Sequence, residues 1–109
     1  MIILQDIQEA QKAIVPYANR TPLKRSKCLS DLCSGDVFLK MENLQVTSSF
    51  KVRGVINRLL SLSAQEKAQG IITASAGNHG QAVAFGGQNG VFQQRLWCLP
   101  TRLKLRLRA

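Results

Sequence analysis

The sequence predicts an α/β fold in which parallel strands are joined by crossover helices. Three observations carry this expectation. Short apolar runs alternate with runs of helical period, first Val37–Met41 before Val52–Leu60, then Ile71–Ala74 before the stretch from His79 to Gln88. The links between them are tight and rich in Ser, Gly and Asn, and strand–loop–helix repetition of this kind implies a parallel sheet. Hydrophobic residues make up 45% of the 109 residues and charged residues 19%, a globular balance with enough chain for one small core.

The elements follow in order. Asp6-Ile7-Gln8-Glu9 has the spacing of a capping box and predicts a helix to about Val15, with Ile7, Ala10 and Ile14 on its apolar side. Pro16 and Thr21-Pro22 end it and give an extended turn. Ser26 to Cys33 fits a short helix closed by Gly35. Val37 to Met41 is the first strand, and Gln45 to Ser49 a loop. Val52, Val55, Ile56, Leu59 and Leu60 then mark one buried helix face, with Lys51 and Arg58 off it. Ser48 or Ser49 is placed to cap that helix, which puts Lys51 in its first turn at the positive end of the dipole. Ser63-Ala64-Gln65-Glu66 repeats the capping-box spacing and opens a helix that Gly70 ends. Ile71 to Ala74 reads as a buried strand, Ser75 to Asn78 as a tight loop, and His79 to Gln88 as a helix. Arg95 to Leu99 is a further strand candidate.

Charge and cysteine content narrow the function classes. The net charge is +9, but residues 1–94 hold ten basic and six acidic residues, while residues 95–109 hold five basic and none acidic. The excess is therefore concentrated in the tail, where Leu103, Leu105 and Leu107 alternate with Lys104, Arg106 and Arg108. Apart from Trp97 the tail has no interleaved aromatic platform, so nucleic-acid binding is not expected. Cys28, Cys33 and Cys98 fit neither a disulfide framework nor a zinc pattern, and one histidine is too few for a histidine-based metal site. They read as free thiols in a reducing compartment. The start of the chain lacks the pattern of a signal peptide, and no stretch reaches membrane-spanning length. A cytoplasmic protein is expected.

Two segments carry chemistry. The first is Lys40-x-Glu42-Asn43-Leu44-Gln45 followed by Thr47-x-Ser49-Phe50-Lys51-x-Arg53-Gly54. A lysine amine set at a helix start is a nucleophile suited to Schiff-base chemistry with carbonyls. The second is Thr73-Ala74-Ser75-Ala76-Gly77-Asn78-His79-Gly80, at a strand end and helix N-terminus, where open α/β sheets bind ligands and free N–H groups favour an anion. Gly86-Gly87 has no following lysine or third spaced glycine, so it is neither a P-loop nor a dinucleotide fingerprint. In this order and spacing, from about Ile7 to Gly87, the chain resembles the threonine/serine dehydratase branch of the fold-type II pyridoxal-phosphate (PLP) enzymes, a branch that includes threonine ammonia-lyases and serine racemases. Ser48 stands where the family often has Gly, and Val55 where it often has Ala.

The resemblance implies a role for each residue. Lys51 would form the Schiff base with pyridoxal 5'-phosphate, take the substrate's α-proton, and be the catalytic residue. Phe50 would lie beside the cofactor, and Asn78 would hydrogen-bond its ring oxygen. Ser75, Gly77, Asn78 and His79 would grip the carboxylate of a small amino-acid substrate. Glu42 and Arg53 are expected to be structural, as orienting or ion-pairing groups. Serine racemases carry a serine at the position of Ala76, so a dehydratase is favoured. The implied reaction is dehydration and deamination of threonine or serine to a 2-oxo acid and ammonia, in a family of homo-oligomers.

The same resemblance divides the chain. Residues 1–48 correspond to the N-terminal part of the large domain, 49–90 to the start of the small domain, and 91–109 to a basic tail. The resemblance stops after Gly87, as a truncation or a shifted reading frame would make it do. The family's Gly-rich phosphate loop lies beyond the ground covered, so the 109-residue chain is expected to bind PLP weakly or not at all and to be impaired or inactive as an enzyme. A non-catalytic basic fragment that binds anions or nucleic acid through its tail is the alternative from another class.

Overall fold

A computed structural model describes residues 1–75 and 77–92. The elements run α1 (Leu4–Ile14), β1 (Leu23–Arg25), α2 (Lys27–Cys33), β2 (Phe38–Lys40), a 3-10 turn (Glu42–Leu44), α3 (Lys51–Leu60), α4 (Ala64–Gln69) and α5 (Asn78–Gln88). The strand candidate at Arg95–Leu99 and the alternating tail lie outside the described residues.

Helix α3 is the centre of the fold. Its period buries Val52, Val55, Ile56 and Leu59, with Val52 and Ile56 fully inaccessible, while Leu60 at the edge of the face is half-buried. Against this face pack Ala82 and Val83 of α5, Ile14 of α1, and Val91 and Phe92. The Gly86-Gly87 pair belongs to this packing. Both glycines are buried, and a Cβ on Gly86 would lie 2.4 Å from Leu59 Cδ1 and 3.3 Å from Ile56 Cδ1. Helix α5 approaches α3 closely because residue 86 has no side chain. Behind α3, a groove of about 510 Å³ separates it from α1, lined by Ile7, Ile14, Val15, Ala18, Lys40, Arg53 and Gly54.

The helix ends obey local rules. Helix α1 starts two residues before the expected Asp6. Asp6 is its third residue, and its carboxylate accepts from the Ile3 N–H at 2.9 Å. An aspartate at the third helical position reaches back to the N–H of the cap residue, the reciprocal half of a capping box. Ser26 caps α2 as expected, its hydroxyl accepting from the Leu29 N–H at 3.4 Å. Ser34, not Gly35, takes the left-handed conformation that closes α2, with φ of 51°. The second capping box forms in full. Ser63 Oγ accepts from the Glu66 N–H at 3.2 Å, and the Glu66 carboxylate accepts from the Ser63 N–H at 2.7 Å. Gly70 ends α4 with φ of 80°.

The chain has the α/β class expected, but its strand pairing differs from the parallel arrangement. Among the described residues the sheet is two-stranded and antiparallel, with Leu23 opposite Lys40, Lys24 opposite Leu39 and Arg25 opposite Phe38. The reason is local. The turn at Thr21-Pro22 delivers a strand that α2 folds back beside β2, and the Ser26 N–H donates to the Val37 carbonyl at 2.9 Å where the two meet. Ile71–Ala74, expected as a buried strand, has no strand partner among the described residues, and Ile72 is 80% exposed. A parallel ladder needs a neighbouring strand to take its N–H and C=O groups.

Candidate active site

The approach to α3 is built by short hydrogen bonds. Gln45, almost fully buried, accepts the Ser48 N–H on its carbonyl at 2.7 Å. Ser48 then adopts φ of 53°, a left-handed conformation that glycine takes without steric cost. The cap position of α3 is Phe50, not Ser48 or Ser49, and it makes no side-chain cap bond; buried Ser49 just before it still accepts from the Lys51 N–H on its hydroxyl at 3.3 Å. Phe50 is helical and 58% exposed, so it is not an ordinary core aromatic. The Lys51 ammonium lies 5.0 Å from the centre of the Phe50 ring, within reach of the attraction between a cation and an aromatic face.

Two residues further on, Arg53 locks this start in place. Its Nε donates to Glu42 Oε2 at 2.8 Å and its Nη2 to Oε1 at 2.9 Å, a bidentate pair. The Glu42 and Arg53 side chains are 17% and 31% exposed, so water screens the pair only in part. The same carboxylate accepts the hydroxyl of buried Thr21. The Arg53 hydrogen bond pulls the Glu42 carboxyl down to about 2, against the opposing effect of burial and with help from Thr21. The Arg53 guanidinium is held more firmly protonated by the same partner. The structural role expected for these two residues is the one they have here.

The turn before α5 comes from a separate stretch of chain. Ser75 Oγ accepts from the Gly77 N–H at 3.4 Å and the Gly80 N–H at 3.2 Å, which folds the backbone over on itself. Gly80 is buried, and a Cβ there would lie 2.4 Å from the Ser75 carbonyl oxygen. Gly77 immediately precedes α5, Asn78 is its first residue, and Asn78 and His79 are both exposed.

One cleft joins these parts. It has a volume of about 420 Å³ and is lined by Phe50, Lys51, Arg58, Leu59, Thr73, His79 and Val83, among others. Lys51, Phe50 and His79 therefore share a wall, although they come from two separate stretches of chain. Ser75, Gly77 and Asn78 shape the turn that carries His79 and do not line the cleft. Arg58 and Thr73 do line it, and neither stands among the site residues expected from the sequence. Arg58 carries a signal, since it lies two turns beyond Lys51 off the same buried face. Thr73, at the end of an apolar run, carries none.

An apolar cleft with an exposed primary amine on its wall, an aromatic ring against that amine, and a helix N-terminus at its edge suits an aldehyde-bearing aromatic cofactor with an anionic group. The comparisons with known proteins agree. Residues 14–91 match the family model described as "Pyridoxal-phosphate dependent enzyme", and the chain belongs to that family. Within it, the chain is 49% identical over 88 residues to the L-threonine ammonia-lyase of Thermotoga maritima, a match that covers 81% of this chain and 22% of that protein. The serine racemase of Dictyostelium discoideum superposes with a TM-score of 0.77 at 37% identity, covering 89% of this chain and 30% of that one. The T.th. threonine deaminase superposes with a TM-score of 0.71 at 38% identity, covering 90% of this chain and 33% of that one. The chain thus spans about a quarter of the length of the curated relatives it matches, 22% and 25% of the first two. Among the described residues, no helix is long and apolar enough to cross a membrane.

Proposed function

We propose that this chain carries the lysine-bearing part of a threonine/serine dehydratase, which converts threonine or serine to a 2-oxo acid and ammonia. The single observation that carries the reading is the shared cleft, which joins the Lys51 amine to His79 from another helix. The resemblance to L-threonine ammonia-lyase, at 49% identity, supports the same class.

In this reading Lys51 is the residue that would hold the cofactor, and its Nζ is the base that would accept the substrate's α-proton. When bound, PLP supplies the electron sink for that proton's removal. Phe50 flanks the amine, and Leu59 and Val83 exclude water from the cleft floor. His79 and the N–H groups that open α5 would orient the substrate carboxylate, with Ser75 and Gly77 holding the turn and Asn78, the first residue of α5, the one that would hydrogen-bond the cofactor. A cytoplasmic location and assembly into a homo-oligomer belong to the same proposal.

The test is to add PLP and L-threonine or L-serine to the chain and follow 2-oxo acid release and serine racemisation. The dehydratase reading expects 2-oxo acid release from wild type and none from Lys51→Ala. Racemisation without 2-oxo acid release would overturn it, and so would equal release by the Lys51→Ala variant.

A further inference from the structure

We propose that Arg53, clamped by Glu42, is a positioning residue that sets where the Lys51 amine enters the cleft. The inference rests on the reading of Lys51 as the cofactor-holding lysine. It starts from geometry. Three segments far apart in sequence meet at one guanidinium. Arg53 reaches both Glu42 oxygens, and its Nη2 also donates to the Asn19 carbonyl at 2.9 Å. Gln45 closes the circuit. Its Oε1 accepts the N–H groups of Asn19 at 2.7 Å and Val46 at 3.0 Å, and its Nε2 donates to the Asn19 carbonyl at 3.0 Å. The link after α1, the 3-10 turn and the first turn of α3 are therefore tied at a common point.

Lys51 is two residues from that point, and the Arg53 N–H itself bonds the Phe50 carbonyl at 3.1 Å. Arg53 does not line the Lys51 cleft. It faces the groove on the other side of α3, so it acts on the amine only through the helix. The planar fork of arginine suits this task, because lysine keeps the charge but cannot bridge two carboxylate oxygens and a carbonyl together. A reacting group displaced by about 1 Å typically loses about a hundredfold in rate, so even a partial loosening registers.

The experiment reads the position of the amine, not catalysis. The full chain is incubated with PLP, reduced with borohydride and digested, and labelling at Lys51 is measured relative to Lys24 and Lys27, both exposed. Partial unfolding would also lower this ratio, so each variant is compared with wild type at equal folded fraction, read by far-UV circular dichroism. Wild type is expected to label Lys51 above Lys24 and Lys27. Arg53→Lys should lower that ratio about tenfold. Thr21→Val, which removes only the hydroxyl on Glu42, is the second variant in case Arg53→Lys does not fold, and it should lower the ratio in the same direction by a smaller factor. A wild-type preference for Lys51 that survives both substitutions overturns the positioning role alone. No preference in wild type overturns the reading of Lys51 itself, and the positioning role with it.

Discussion

Acid should dismantle the Glu42–Arg53 pair, and the Glu42→Gln variant measures how much the pair contributes. The Glu42 carboxyl sits at about 2 in the folded chain against an ordinary value of 4.5. A depressed carboxyl favours the folded state above its unfolded value, and that contribution is lost as pH falls from about 4.5 toward 2. A shift of this size corresponds to about 3 kcal/mol, and the partial exposure of both partners reduces it to about 2–3 kcal/mol. At neutral pH, Glu42→Gln should therefore lower the unfolding free energy by about 2–3 kcal/mol, since a neutral amide replaces the charged half of a bidentate pair. Near pH 2.5 the two proteins should nearly converge, because most of the charge-linked contribution has by then been lost. Urea unfolding at pH 7, 4 and 2.5 reads the difference directly. A gap between the two proteins that stays constant across this range would refute the reasoning, since it would mean that the pair's charge does not contribute.

Other substitutions probe the scaffold around the site. Ser48→Gly relieves the left-handed serine at the cost of a more flexible unfolded chain, and should raise stability by up to about 1 kcal/mol in the same unfolding assay. Gly80→Ala pushes a methyl group against the Ser75 carbonyl and should cost about 1–3 kcal/mol, with faster amide exchange at Gly77 and Gly80. Ile56→Ala empties a fully buried site and should cost about 2–5 kcal/mol, seen as a lower unfolding midpoint.

The parts legible in the sequence are those in which one local pattern has one physical outcome. Val52, Val55, Ile56 and Leu59 recur with the helical period, and only one face can be buried. Ser63 and Glu66 satisfy each other's N–H groups whatever surrounds them. Lys51 is marked by its place at a helix start, and the cleft it shares with His79 follows from α5 packing on α3. The pairing of Glu42 with Arg53 can be read from their motif, but its tie to Thr21, Asn19 and Gln45 cannot, because bonds spanning 21 to 34 residues leave no local trace. Strand β1 is invisible because Leu23-Lys24-Arg25 is too short to show alternation and both its faces are exposed. Asp6 misleads because an acidic side chain suits a helix start in two places, as the cap that accepts a first-turn N–H or as the third residue that accepts the cap's own N–H. Ile71–Ala74 misleads in the opposite way. Its apolar residues suit a strand, but a strand is completed by its neighbour and not by its own composition.

Gly54 touches two hollows at once, the lysine cleft in front of α3 and the groove behind it. A Cβ there would meet nothing within 4 Å. The helix is therefore a partition one residue thick at this point, bare on the side where it is thinnest. In a chain whose Cys28, Cys33 and Cys98 are replaced by serine, a cysteine placed at 54 and labelled with a small fluorophore would serve as a single gauge for both compartments, registering what enters the groove as readily as what settles beside the amine.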